Sequence, residues 1–229
     1  MGCVDPADSR AGGVPAESFD YIVERPVGAR LPDAERGSGE RRIERVGGRP
    51  RVTNRAQDLD GARAVVMPGV GAAADTMRNL DQHGLSDPVR HYIASGRPFL
   101  GVCMGLQALL TVSEEGGQHP CLDVLPGVVS RLPDGQKVPH MGWNTVRQTR
   151  SHPIFDGIED GSYFYFVHSF VIRPDDQSCV IGEAEYGCRF PAMVARDNIV
   201  ATQFHPEKSG EAGLRLYANF LAAVPAVVR

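Results

Sequence analysis

The chain has 229 residues, of which 42% are hydrophobic, and it carries a formal net charge of −4. This size and composition are sufficient for one substantial hydrophobic core, so a single domain is expected. The basic residues are scattered and no apolar run approaches the roughly 20 residues of a membrane span, which argues against nucleic-acid binding and membrane insertion.

The five cysteines are an odd number and are widely spaced along the chain. None forms a Cys-x-x-Cys pair of the kind that holds zinc or cycles a disulfide. The N-terminus also lacks the basic stretch followed by an apolar core that marks a secretory signal. The sequence therefore predicts a cytoplasmic protein with reduced thiols, one of which has a chemical role.

Residues 1–41 give weak structural signals, because they are rich in Gly, Pro, Arg and Asp. Only the segment 19–23 has the composition of a strand, and the rest resembles disordered sequence. From residue 42 onward the sequence again predicts secondary structure, with the end of a helix at 43–46 and a strand at 50–53. We therefore predict an atypical segment over 1–41 and one domain over 42–229.

Two strand–loop–helix units follow one another in the next part of the chain. The apolar run 64–67 predicts a buried strand, the loop 68–71 closes it, and the spacing of apolar residues over 74–95 predicts a helix. A second buried strand is predicted at 98–102, and good helix formers follow it directly. Repeated units of this kind are typical of a parallel sheet that is covered on both faces.

Beyond residue 126 the apolar runs become shorter and are bounded by turn residues. The elements predicted here are strands at 127–129, 163–167, 180–181 and 199–204 and a final helix at 210–222. The whole pattern predicts a single α/β domain with a mixed, mostly parallel sheet and helices on both faces.

The strongest local signal is Cys103, which lies in the run Gly-Val-Cys-Met-Gly where a strand passes into a helix. Glycines on both sides permit a sharp turn that lifts the nucleophile above the sheet. A sulfur at a helix N-terminus also favours the thiolate, the form that attacks a carbonyl carbon. A lone cysteine is more often a small core residue, but this glycine context favours a nucleophile.

A thiolate nucleophile needs a base and a group that orients the base. His205 and Glu207 meet both needs, because they follow the last predicted strand and are separated by a single rigid proline. We interpret His83, His91, His119 and His152 as structural residues.

The runs Gly-Val-Cys-Met-Gly-Leu-Gln and Gln-Phe-His-Pro-Glu-Lys-Ser-Gly resemble the class I glutamine amidotransferases, which have a flavodoxin-like fold and release ammonia from glutamine with a Cys-His-Glu triad. The resemblance implies that Cys103 forms the glutamyl thioester, His205 is the general acid and base, and Glu207 orients His205. It implies no metal and no organic cofactor. It places the oxyanion hole at the backbone N–H groups of Met104 and Val70. The residues that it assigns to glutamine binding are Gly69, Gly71, Gln107, His168 and Ser169.

Three further runs narrow the resemblance: Pro-Gly-Val-Gly-Ala, Pro-His-Met-Gly-Trp-Asn and Tyr-Phe-Val-His-Ser-Phe. Together they are similar to the glutaminase subunits of imidazole glycerol phosphate synthase, an enzyme of histidine biosynthesis. This implies a heterodimer with a (β/α)8-barrel cyclase subunit that receives the ammonia. The residues implied at that interface are Pro139, His140, Met141, Trp143 and Asn144. From its residue type alone, Trp143 suits an interface anchor and a half-buried core position equally well.

The resemblance stops before residue 42, where the first strand and the Asp-Tyr-Gly-x-Gly-Asn turn of the family are missing. A frameshift and a lineage-specific replacement would both account for this. Three other functions stay open on the sequence alone: an inert partner-binding protein with an incomplete sheet, a glutaminase subunit of another synthase such as that for anthranilate or pyridoxal phosphate, and a cysteine peptidase.

Overall fold

The structure is a computed structural model that describes residues 21–24, 38–69 and 71–224. Most of the segment 1–41, and Val70, lie outside the described residues. The strands are β1 (Tyr21–Glu24), β2 (Pro50–Thr53), β3 (Val65–Met67), β4 (Phe99–Val102), β5 (Val112–Ser113), β6 (His119–Pro120), β7 (Gly127–Arg131), β8 (His140–Thr145), β9 (Arg147–Gln148), β10 (Tyr163–His168), β11 (Phe170–Pro174), β12 (Val180–Glu185), β13 (Arg189–Arg196) and β14 (Ile199–Thr202). The α-helices are α1 (Ser38–Arg45), α2 (Gln57–Asp60), α3 (Ala73–Gln82), α4 (Ser86–Ala94), α5 (Met104–Gln107) and α6 (Gly210–Ala222).

Within the described residues, the largest sheet has eight strands in the order β2-β1-β3-β4-β14-β13-β12-β9. The α/β architecture is confirmed, and the sheet is mixed as predicted. Only β3, β4 and β14 are mutually parallel, and the neighbours on either side of them pair antiparallel. Less of the sheet is parallel than predicted, because the later strands follow one another through connections too short for a parallel crossover.

Helices cover both faces of the sheet, and the strand residues alternate between the two sides. Val65 and Phe99 are buried in a core with the side chains of α3 and α4. Val66 and Leu100, one position along each strand, are buried in a second core with α1 and α6. Burial of each such side chain contributes about 1.5–3 kcal/mol, so the central strands are held from both faces.

The helix predicted over 74–95 is two helices in the structure. The first, α3, ends at Gln82, and the second, α4, begins at Ser86. Between them Gly84 adopts a φ of +62°, in the left-handed region that ends a helix and favours glycine. The apolar spacing continues across this break, so the periodicity alone concealed it.

The strand predicted at 19–23 is β1, which lies between β2 and β3 and runs antiparallel to both. Its Ile22 is in register with Val52 on one side and Val66 on the other. The division of the chain near residue 41 stays a prediction. None of the helices that the described residues form is long and apolar enough to span a membrane.

Candidate active site

Cys103 lies at the turn between β4 and α5, with a φ of 53° and a ψ of −104°. This is an unfavourable region for a residue with a Cβ, and strained residues of this kind gather at functional sites. The turn needs glycine beside it. A Cβ atom on Gly105 would lie 1.9 Å from the carbonyl oxygen of Met67, and one on Gly101 would lie 2.8 Å from that of Gly105.

The pairing of β4 with β14 brings the two motifs together. These strands are parallel and in register, so that Gly101 lies opposite Ala201. The Cys103 N–H extends the ladder by donating to the Thr202 carbonyl, at 2.7 Å. Because parallel strands end at the same edge of a sheet, the chain that leaves β14 carries His205 to the edge where Cys103 lies.

His205 is buried and is held by Glu207. Its Nδ1 donates to the Glu207 carboxylate at 2.7 Å, and its backbone N–H donates to the Tyr165 carbonyl at 2.9 Å. Burial lowers the pKa of His205, but its interactions with Cys103 and Glu207 outweigh burial and raise the pKa to about 10. Among the described residues, no group meets the buried Nε2 atom in hydrogen-bond geometry, although the Cys103 thiol is close enough to influence the ring.

A cavity of about 270 Å³ lies over the Cys103 sulfur. Several of the residues predicted to bind or convert a substrate line this cavity together. They are Gly71, Cys103, Met104, Gln107, His168, Ser169 and His205. Glu207 lies behind His205, and Gly69 packs under Met104, where a Cβ on Gly69 would lie 2.6 Å from the Met104 Cβ. The predicted oxyanion donor at Val70 lies outside the described residues.

Glu115 also lines the cavity, although no motif in the sequence indicated a role for it. One of its carboxylate oxygens accepts the backbone N–H of Ala73 at 2.8 Å, at the start of α3. A carboxylate in a small cavity is a suitable partner for an ammonium group. The local pattern gave no signal, since Glu115 reads as an ordinary turn residue before two glycines.

Gln107 lies at the cavity wall, but much of its side chain is already engaged. Its Nε2 donates to the Phe170 carbonyl at 3.1 Å and to Gln203 Oε1 at 3.0 Å. Its Oε1 is buried and has no hydrogen-bond partner within the described part of the chain. Only this oxygen is therefore open to the contact that was predicted for Gln107.

The segment predicted to meet a partner forms a two-stranded ribbon of β8 and β10. Met141, Trp143 and Tyr163 are 62%, 55% and 62% exposed, and Pro139 is exposed beside the cavity. His140 differs from this prediction, because only 4% of its surface is exposed. Side chains alternate along a strand, so His140 points to the inner face of the ribbon and Met141 to the outer face.

His140 is hydrogen-bonded to His168, with 3.0 Å between Nδ1 of His140 and Nε2 of His168. The His140 ring also stacks between Phe166 and Tyr186. His168 Nδ1 donates to the Phe170 carbonyl at 2.9 Å, which makes His168 Nε2 the acceptor and His140 the donor. Burial lowers the pKa of His140 to about 4 and that of His168 to about 3, so both rings are neutral at pH 7.

Asn144 continues this chain of hydrogen bonds to the edge of the ribbon. Its Nδ2 donates to His140 Nε2 at 3.3 Å and to the Glu185 carbonyl at 2.9 Å.

Across the described ranges, no cluster of three or more His, Cys, Asp or Glu side chains is arranged to hold a metal ion. The site presents a thiol at Cys103, an imidazole at His205 and carboxylates at Glu115 and Glu207.

Several known proteins are similar to this chain in sequence or in fold. The family "Glutamine amidotransferase class-I" matches residues 48–224. The imidazole glycerol phosphate synthase subunit HisH of Desulfitobacterium hafniense is 45% identical, over 80% of this chain and 87% of that protein. The subunit of the same name from Herpetosiphon aurantiacus is 53% identical, over 70% of this chain and 76% of that protein.

A crystal structure of a glutamine amidotransferase has the same fold, with a TM-score of 0.65 and 23% identity over 81% of this chain and 91% of that one. At this identity the likeness concerns the fold alone. The sequence relatives are more informative, because they match most of both chains at 45% identity or more. The chain therefore belongs to the class-I glutamine amidotransferases, in the family of imidazole glycerol phosphate synthase HisH subunits.

Proposed function

We propose that this chain is a glutaminase subunit that hydrolyses glutamine at Cys103 and supplies the ammonia to a cyclase subunit. One observation carries the proposal. The strained turn places the Cys103 sulfur in a cavity shared with His205, and His205 is hydrogen-bonded to Glu207. A nucleophile, a base and a group that orients the base are the parts that thioester chemistry needs.

In the proposed reaction, the Cys103 thiolate attacks the carboxamide carbon of glutamine and forms a tetrahedral oxyanion. The backbone N–H of Met104 and one from the loop at Val70 stabilise this oxyanion. His205 gives a proton to the leaving nitrogen, so that ammonia departs and the glutamyl thioester remains. His205 then removes a proton from water, which attacks the thioester and releases glutamate and the Cys103 thiolate.

The rest of the cavity suits the amino-acid end of glutamine. Glu115 offers a carboxylate to the α-ammonium group, and His168 and Ser169, at the end of β10, also line the cavity. Gln107 Oε1, which is free of partners among the described residues, adds a further acceptor. These groups would orient a small amide in a cavity of about 270 Å³, which favours glutamine over a peptide as the substrate.

Replacement of the nucleophile tests the proposal directly. We expect Cys103→Ala to abolish glutamate release from glutamine, measured in the presence of the cyclase subunit, with little change in melting temperature. Cys188→Ala is the matched control, because Cys188 is also free but does not line the cavity. Unchanged glutamate release in Cys103→Ala, or no release by the unaltered chain with its partner, would contradict the proposal.

The outer face of the ribbon formed by β8 and β10 is the proposed docking surface for a (β/α)8-barrel cyclase in a heterodimer. Its exposed Met141, Trp143 and Tyr163 form an apolar surface next to the cavity, and exposed aromatic residues are frequent anchors of interfaces. Ammonia passed on at such an interface would be protected from protonation in bulk water.

We expect Trp143→Ala to weaken association with the cyclase by about 2 kcal/mol, or roughly thirtyfold in Kd. Tyr92, by contrast, is buried away from this face, so Tyr92→Phe should leave the affinity unchanged. Association with a different synthase in place of the cyclase would favour the alternative glutaminase subunits, and association without glutamine hydrolysis would favour an inert binding protein.

We also propose that glutamate release accelerates on docking. A comparison of the rates of glutamate release with and without the cyclase tests this.

A further inference from the structure

Gln203 is a polar residue at an unexpected place in the core. It follows β14 directly, and none of its surface is exposed. A buried carboxamide that lacks hydrogen bonds costs several kcal/mol, so such a residue is retained where its polar atoms are used. Its position, two residues before His205, places its side chain beside the nucleophile.

Both ends of the Gln203 carboxamide have partners. Its Nε2 lies 3.7 Å from the Cys103 sulfur, and its Oε1 lies 3.0 Å from Nε2 of Gln107. Gln107 Nε2 lies in turn 3.1 Å from the Phe170 carbonyl oxygen. A series of hydrogen bonds therefore leads from the backbone at the start of β11, through two carboxamides, to the reactive sulfur.

The Phe170 carbonyl determines which groups donate and which accept in this series of hydrogen bonds. A carbonyl oxygen can only accept, so Gln107 must turn its NH₂ group towards Phe170 and Gln203. Gln203 must then offer its oxygen to Gln107, since the opposite orientation would set two NH₂ groups against each other. The remaining end of Gln203, which faces Cys103, is therefore an N–H donor.

We propose that the Gln203 carboxamide is a fourth member of the catalytic site, which donates an N–H hydrogen bond to the Cys103 sulfur and stabilises its thiolate. This inference rests on the proposed role of Cys103 as the nucleophile. A donor favours the charged form of its acceptor, and the sulfur needs one. Besides the His205 ring, the sulfur lies 3.9 Å from the Val167 carbonyl oxygen, which can accept from a thiol but repels a thiolate.

The short helix that follows Cys103 makes this donor more important. A helix N-terminus at Cys103 is expected from the sequence to favour the thiolate, but α5 has only four residues. The helix dipole grows with the number of aligned peptide groups, so a single turn contributes little. The N–H of Gln203 compensates for this at a distance where it touches the sulfur itself.

The test compares Gln203→Met and Gln203→Glu with the unaltered full chain. Methionine keeps the length of the side chain without a donor, and glutamate keeps its shape but replaces the NH₂ group with oxygen. The rate at which iodoacetamide alkylates Cys103 is measured from pH 5 to pH 10, by mass spectrometry of the peptide that contains Cys103. Gln148→Met is the matched control, because the Gln148 carboxamide donates to the Ile158 carbonyl and does not line the cavity.

We expect the pH midpoint of alkylation to rise by about one unit in Gln203→Met, which is a tenfold loss of thiolate below the midpoint, and by more in Gln203→Glu. In the complex with the cyclase, kcat for glutamate release should fall about tenfold while KM changes little. An unchanged midpoint in a variant that is folded would overturn the proposal, even if kcat fell, because a packing role would explain that fall.

Alkylation does not depend on turnover, so the test holds even if the chain fails to hydrolyse glutamine. Should neither variant fold, NMR on the unaltered chain replaces them. The side-chain amide protons of Gln203 should then shift on titration with the same midpoint as Cys103 alkylation, and this shift should be missing in Cys103→Ala. A Gln203 resonance that does not respond to the ionisation of Cys103 would refute the hydrogen bond.

Discussion

The central strands β3, β4 and β14 and the N-terminal strands β1 and β2 belong to one sheet but relate differently to the site. β4 leads into Cys103, and β14 leads into Gln203 and His205. Among the described residues, neither β1 nor β2 contributes a residue to the cavity. The central strands are parallel and in register, whereas β1 runs antiparallel to both of its neighbours.

The geometry of the site therefore depends mainly on the backbone of the central strands. The positions of Cys103 and His205 follow from the register of two adjacent strands and from one close contact between a turn and β3. The N-terminal strands support that arrangement from the side, by covering the edge of β3. Cys103, His205 and Glu207 come together at this edge of the sheet, and Val70 lies outside the described residues.

Gly105→Ala should destabilise the central strands and the turn at Cys103 more than any other substitution considered below. The new Cβ would lie 1.9 Å from the Met67 carbonyl oxygen, and that oxygen belongs to a buried strand that cannot move cheaply. We expect the free energy of unfolding to fall by about 3 kcal/mol or more, and glutamate release to be lost. Gly135→Ala is the control, since its Cβ would meet nothing within 4 Å and only the strain of a φ of +96° remains. Equal destabilisation by the two changes in urea unfolding would contradict the close contact.

Glu207→Gln should impair the chemistry and spare the fold. The carboxylate raises the pKa of His205, so its loss lowers that pKa and weakens the orientation of the ring. We expect kcat to fall by about 10²-fold to 10⁴-fold, and the alkaline limb of the pH–rate profile to move to lower pH. Glu211→Gln, at an exposed residue of α6, should leave both unchanged. An alkaline limb at the same pH in Glu207→Gln would show that Glu207 does not act through His205.

Ile22→Pro should weaken the N-terminal region without altering the chemistry. Ile22 is flanked by strands on both sides, so its backbone N–H belongs to the ladder and proline removes it. We expect a loss of about 3 kcal/mol in the free energy of unfolding, and an unchanged kcat per folded molecule. Ile22→Val, which keeps the N–H, is the control. A fall in kcat that matches the fall in stability would mean that the site depends on β1 after all.

The sequence predicted the central region well because its signals are local. The turn around Cys103 requires glycines within two residues, and the orientation of His205 requires Glu207 two residues away, so each motif is complete in a short run. Short apolar runs likewise predicted β3, β4 and β14. The predicted helix over 74–95 failed for the opposite reason, since its periodicity ran through the break at Gly84.

Contacts between distant parts of the chain could not be predicted in this way. Gln203 lies 100 residues from Cys103 along the chain, and Glu115 reaches Ala73 across 42 residues. Neither contact leaves a local pattern, because both depend on how strands and loops assemble. The burial of His140 could not be predicted either. Alternation along β8 predicts that His140 and Met141 lie on opposite faces of the strand, but only the packed ribbon shows which face is buried.

The expected effect that is smallest at neutral pH concerns that buried histidine pair, which lies in the ribbon of β8 and β10. Burial lowers the pKa of His140 to about 4, whereas an unfolded histidine titrates near 6.5. Between these values the unfolded chain binds a proton at His140 that the folded chain does not. This residue therefore reduces stability as the pH falls from 6.5 towards 4, by at most about 1.4 kcal/mol per pH unit, and has no such effect above that range.

His140→Phe keeps an aromatic ring in the stack between Phe166 and Tyr186 but removes the titrating group. Its free energy of unfolding in urea should therefore decline less steeply with falling pH than that of the unaltered chain, by up to about 1.4 kcal/mol per pH unit between pH 6.5 and pH 4. His168 retains its own lowered pKa in the variant, so part of the slope should persist. Parallel curves for the two proteins would mean that the folded chain binds a proton at His140 as readily as the unfolded chain does, so that burial does not lower the pKa of His140.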